Sequence, residues 1–105
     1  MISRGDFVFT IGYEGNTAVV DGTMKKRYRS LSTVELAEKQ LYKQAVCSAV
    51  YEEVTRKHGN SGEALQRILE IYNRDTEGKI GSVEELKRTF GVYEVPEGVG
   101  KVMVI

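Results

Sequence analysis

A chain of 105 residues has the length of one domain, and folding at that size buries roughly 65% of the unfolded surface, enough for a core without disulfides. Fifteen Lys and Arg balance fifteen Asp and Glu, so no global field draws in nucleic acid or an anionic membrane, and any such role must rest on a local patch. Cys47 is alone, which excludes an intrachain disulfide; no stretch of about 18 uncharged apolar residues offers a membrane span, and Met1–Asp6 lacks the character of a signal peptide, so the expected location is the cytoplasm.

The alternation of Phe7, Phe9, Ile11 and Tyr13 with Val8, Thr10 and Gly12 predicts a strand. Glu14-Gly15-Asn16 is a turn signal and Thr17-Ala18-Val19-Val20 the returning strand, so the first 22 residues are expected to form a β-hairpin. The basic run Met24-Lys25-Lys26-Arg27-Tyr28-Arg29 reads as loop or exposed strand. Ser32-Thr33-Val34-Glu35 is a capping-box pattern that starts a long central helix reaching about His58, with Gly59 as its stop and a bend or break expected near Glu38-Lys39-Gln40.

Asn60-Ser61-Gly62-Glu63 opens a second helix, whose Leu65, Ile68, Leu69 and Tyr72 share one face. Residues 73–81 read as a polar loop. Ser82-Val83-Glu84-Glu85 is a second capping box, for a short helix ending at Gly91. Val92–Val95 is a weak strand pattern that Pro96 disfavours, and the continuous apolar run Val102-Met103-Val104-Ile105 reads as a strand buried on both faces. The fold expected is a single α+β domain over residues 1–105. It comprises an N-terminal β-hairpin, a long central helix plus two shorter helices, and a C-terminal strand completing a small antiparallel or mixed sheet. That strand is expected beside the hairpin and under the central helix, the alternative being pairing with its copy in a second subunit.

Two segments carry site chemistry. Lys25, Lys26, Arg27 and Arg29, with Tyr28 among them, have the makings of a nucleic-acid contact: cations for phosphates and a ring to stack on a base. The competing reading is a solvated surface run. Asn73-Arg74-Asp75-Thr76-Glu77-Gly78-Lys79-Ile80 resembles the start of an EF-hand calcium loop. That resemblance implies ligands at Asn73, Asp75 and Glu77, a backbone carbonyl at Lys79, a turn at Gly78 and a closing carboxylate at Glu84. The chain departs from the motif in having Asn first and Glu third, and in an exit helix one residue late; the competing reading is a solvated helix–helix turn with Gly78 at positive φ.

The catalytic inventory is thin. His58 is the only histidine and stands where it would favour a helix C-terminus, Cys47 reads as a packed thiol, and Glu52-Glu53 and Glu84-Glu85 are neighbours that diverge by about 100° on a helix. Gly12-Tyr13-Glu14-Gly15 has the form of a KH-domain clamp but joins two strands, and Gly98-Val99-Gly100-Lys101 lacks the spacing of a phosphate-binding loop. The reading is therefore a non-catalytic interaction or regulatory module without a cofactor, monomeric or homodimeric, with a protein partner. Nucleic-acid binding through residues 25–29 and calcium binding through residues 73–84 are the alternatives, and an enzyme built on carboxylates, Ser and Lys stands behind both.

Overall fold

The computed structural model describes residues 2–55 and 61–105. The expected helix stop at His58-Gly59 and the start at Asn60 fall outside them. In chain order the elements are α1 (Arg4–Val8), β1 (Thr10–Glu14), β2 (Thr17–Val20), α2 (Gly22–Tyr28), α3 (Thr33–Glu38), α4 (Tyr42–Thr55), α5 (Ser61–Thr76), α6 (Val83–Phe90) and β3 (Lys101–Val104). The fold is a small α+β domain with a mixed three-stranded sheet in the order β1-β2-β3. β1 and β2 run antiparallel; β2 and β3 run parallel, from Thr17↔Lys101 to Val20↔Val104.

The hairpin forms, but it begins later than the alternation predicts. Residues 4–8 are helical because the Ser3 hydroxyl caps the turn, accepting from the Asp6 amide at 3.3 Å. Phe7, Val8 and Phe9 are all buried, which a helical turn followed by a bend achieves and a strand with alternating faces does not. Gly15 at φ 61 makes the two-residue turn between Glu14 and Thr17, with positive φ at its first central position as a II′ turn requires. In β1 the register shifts between Thr10 and Gly12, so Ile11 is the extra residue of a bulge.

The basic segment is helix rather than loop or strand. Asp21, which reads in sequence as the end of a strand, is its N-cap, accepting from Met24 N at 3.1 Å. The capping box at Ser32 is complete, with both reciprocal hydrogen bonds to Glu35 present.

The central helix breaks where Glu38, Lys39 and Gln40 interrupt the pattern. Leu41 N donates to Leu36 O and Gln40 N to Ala37 O, the paired bonds of a Schellman ending, with Gln40 at φ 65 where glycine is usual. α4 then restarts and is buried continuously from Ala45 to Val50. Leu65, Ile68 and Leu69 of α5 join the core as their spacing predicts, and Ile71 joins them.

At the C-terminal end one open reading resolves to the loop that Pro96 favours, and one expectation is corrected. Residues 92–95 form no strand; Val92 and Val95 are buried as an extended loop. β3 does enter the sheet beside the hairpin, but its apolar side chains are not buried: exposure runs from 42% at Val102 to 64% at Ile105. The strand lies at the sheet edge, and α2 meets it only at its end, where Gly22 packs on Val104 and its N–H donates to Ile105 O at 3.0 Å. No helix of the described residues is long and apolar enough to cross a membrane.

Candidate functional site

The sequence-predicted basic residues are brought together on α2, but they are not equivalent. Lys25 Nζ lies 2.6 Å from Asp6 Oδ1, fastening α2 to α1. Partial burial pushes the Asp6 carboxyl upward, yet the hydrogen bonds from Lys25 and Ser3 and the Lys25 charge outweigh it and hold the group below its ordinary value. Tyr28 is half-buried against the core with the Arg27 guanidinium 5.8 Å from its ring centroid, so that face of the ring is already occupied. Lys26, Arg27 and Arg29 are exposed.

The EF-hand-like residues fall on a different scaffold from the one the resemblance implies. Asn73 and Asp75 lie inside α5, which runs on to Thr76, and Glu84 lies in the first turn of α6. The Asn73 amide donates to Ile80 O at 2.9 Å and accepts from Ile80 N at 3.2 Å, bracing the loop as a backbone surrogate. Asp75 accepts from Arg74 Nε at 3.0 Å and from the Tyr42 hydroxyl at 3.1 Å; the Arg74 contact foremost holds its carboxyl below the ordinary value. The left-handed conformation falls on Glu77, at φ 54, not on Gly78. Gly78 is required by space instead: a Cβ there would stand 2.9 Å from Thr76 Oγ1 and 3.0 Å from Asn73 Oδ1. Glu77 and Lys79 are exposed, and among the described residues no three His, Cys, Asp or Glu side chains are arranged to hold a metal ion.

A polar network that sequence reasoning missed ties the helices together. Arg4 donates through Nε and Nη2 to Ser48 Oγ at 3.2 and 2.9 Å, and through Nη2 to Leu31 O at 2.8 Å. Thr33 Oγ1 lies 2.7 Å from Ser48 Oγ and donates to Glu52 Oε1 at 3.1 Å, which leaves Ser48 to donate to Thr33. The result is a directed chain from guanidinium to carboxylate through two buried hydroxyls. Ser48 is wholly enclosed, so this network holds α1, α3 and α4 in place and offers no access to a substrate.

A groove of about 310 Å³ lies open between β1, α4 and the loop after α6. That volume is at the lower end of the range typical of ligand clefts. Phe7 and Cys47 lie on the core side, and Ile11, Tyr13 and Tyr93 stand at its mouth, 56%, 43% and 59% exposed. Phe90 fixes one wall: it packs edge-on against Tyr72 at 5.6 Å, and Tyr72 against Tyr42 at 5.0 Å. Gly91, at φ 68, ends α6 and turns the chain into the extended wall of Val92, Tyr93, Glu94 and Pro96. Lys43 and Glu94 supply one charge of each sign.

Two features of β1 shape this groove. It is an edge strand, and the bulge turns Ile11 outward. Counting back from the hairpin pair Glu14–Thr17, whose backbone groups bond each other in a two-residue hairpin, the N–H and C=O of Tyr13 point away from β2. Burial pushes the Cys47 thiol up to about 11, so it is protonated at neutral pH. Burial also raises the Tyr13 phenol. The sequence signal for this site is faint: two aromatics, Tyr13 next to Gly12 and Tyr93 two residues after Gly91, in segments far apart along the chain.

No protein-family model, curated protein or solved structure matches the chain significantly.

Proposed function

We propose that the protein is a non-catalytic interaction module that binds an extended peptide segment of a partner protein along the free edge of β1. One observation carries the reading: the unpaired edge of a strand and three exposed large apolar side chains, Ile11, Tyr13 and Tyr93, converge on a single groove. An extended peptide has what such a groove lacks. Its backbone would bond the outward groups of Tyr13, one large apolar side chain would enter toward Phe7, Cys47 and Phe90, and flanking residues of opposite charge would meet Lys43 and Glu94. The buried, protonated Cys47 thiol on the core side of the groove favours holding over turnover.

The test uses a displayed library of short random peptides, followed by amide chemical shifts with an enriched peptide. Binding should shift Tyr13, Gly91 and Tyr93, and the pair Ile11→Ser with Tyr93→Ser should weaken it about tenfold or more, both positions being exposed enough to leave the fold intact. No enriched peptide, or equal binding by the double variant, removes the reading.

A second reading is favoured by the joint exposure of Lys26, Arg27 and Arg29: contact with nucleic-acid phosphates along α2. A single-stranded oligonucleotide should then bind with a salt slope that flattens when the three are replaced by Ser. Lys25 is left unchanged because its partner is Asp6.

A further inference from the structure

The two edges of the sheet are protected to different degrees. β1 is bulged, carries Gly12 and Glu14, and is cupped by the loop after α6. β3 has none of these devices. Its register to β2 runs unshifted over four residues, it holds no proline or glycine, and its only charge, Lys101, stands at its start. A straight, apolar edge, met by α2 only at its end through Gly22, is the feature that folded proteins ordinarily blunt.

The hydrogen-bond directions of β3 are fixed by its contacts with β2. Lys101 N donates to Asn16 O, Ile105 N donates to Val20 O, and Ile105 O accepts from Gly22 N. Residues 101 and 105 therefore face β2, and Met103 does so by strand alternation. The N–H and C=O of Val102 and Val104 face outward.

From this pattern we infer that β3 pairs antiparallel with β3 of a second copy, across a two-fold axis at Met103. In that register Val102 lies opposite Val104 of the copy and Val104 opposite Val102. All four outward N–H groups of the two strands then meet outward carbonyls. A shift by one residue would set outward groups against inward ones, so it is excluded by the alternation itself. The charges agree with the same register: Lys101 faces Ile105 of the copy, not the copy's Lys101, and two neutral chains meet without net repulsion. Pairing of β3 with β1 of another copy is disfavoured by the Ile11 bulge and would build an open fibre, whereas the two-fold arrangement closes.

The product is one six-stranded sheet in the order β1-β2-β3-β3-β2-β1. The apolar side chains of Val102 and Val104 become neighbours across the axis on the helix-facing side, and Met103 meets its copy on the other. The free edges of both β1 strands stay at the far ends, about 24 Å apart at the usual interstrand spacing. The contact is small, so the dimer belongs with weak, concentration-dependent associations.

Sedimentation equilibrium over about 10 µM to 1 mM should show growth from the 11.8 kDa of one chain to twice that mass and no further. Over the same range, amide exchange at Val102 and Val104 should slow about tenfold, while Met103 and Ile105, which bond β2, are protected throughout. Val104→Pro removes an outward N–H that β2 does not use; it should stay monomeric and keep the protection at Met103 and Ile105. A parent chain that stays monomeric at the top of the range overturns the inference. So does unchanged exchange at Val102 and Val104, growth into fibres, or dimerisation of the folded Val104→Pro chain equal to the parent's. Should Val104→Pro not fold, the exchange measurement on the parent decides alone.

Discussion

The helical half and the sheet half of this molecule handle water in opposite ways. Among the helices, polar side chains that enter the interior are fully matched: Arg4, Ser48, Thr33 and Glu52 form one directed chain, and among the described residues no buried side-chain nitrogen or oxygen lacks a partner. Along the sheet, apolar side chains are left outside: Ile11 and Tyr13 on one edge, Val102 to Ile105 on the other. The difference separates two tasks. The enclosed core lies where α3, α4 and α5 meet, and the two binding proposals made above both rest on the strand edges, where large apolar side chains stay at the surface.

The contrast is sharpest for matched truncations. Ile68→Ala, in the enclosed face of α5, should lower unfolding free energy by about 2–5 kcal/mol in urea titrations, whereas Val104→Ala at the open edge should change it by less than about 0.5 kcal/mol in dilute solution. Equal losses would mean that the sheet edge is covered in the free protein. A smaller effect tests the polar side of the same division. Ser48→Ala removes the acceptor for Arg4 and the donor to Thr33, and should cost about 1–3 kcal/mol with an unchanged denaturant slope. A loss within experimental error would show that Arg4 is held well enough by its remaining acceptors, Leu31 O and Arg29 O.

A smaller effect than that of Ser48→Ala concerns the Lys25–Asp6 tie and is read through pH. The Asp6 carboxyl is lowered on folding, so the folded state holds fewer protons there than the unfolded chain. Its contribution is therefore complete above the ordinary carboxylate value of 3.8 and is lost as pH falls through the lower folded value. Lys25→Met should remove up to about 1 kcal/mol at neutral pH, and the difference from the parent should shrink as the solution is acidified below that range. A difference that stays constant to the lowest pH would mean that the Lys25 stem, not its charge, holds α2.

The parts legible in the sequence are those governed by local chemistry. The Ser32 box, the turn at Gly15, the apolar face of α5 and the break near Gln40 could all be read, because each depends on residues within a turn or two of one another. α1 and α2 are less legible because Ser3 and Asp21 cap them without the Glu or Gln at N3 that marks the box at Ser32: Asp6 and Met24 stand there instead. The buried fate expected for Val102–Ile105 failed because composition reports apolar side chains and not which element is available to cover them. The groove was least legible, since its walls come from β1, α4 and the loop after α6 and meet only in the folded chain. Likewise Lys25 and Asn73 look like free ligands until their partners, Asp6 and Ile80, are seen beside them.

The parallel ladder between β2 and β3 also sets an order of events. It joins Thr17 to Lys101, so the third strand cannot be placed until nearly the whole described chain has been synthesised and the helices between have collapsed. The β1–β2 hairpin and the α3–α4 pair depend on neighbours in sequence and can form early; closing the long loop to β3 carries the largest entropy cost in the sheet. Until it closes, the outer edge of β2 stands unpaired, with Ala18 and Val20 lacking their β3 neighbours. Contact order therefore predicts that β3 docks late in sheet formation, and that the edge of β2 is open to other chains until it does.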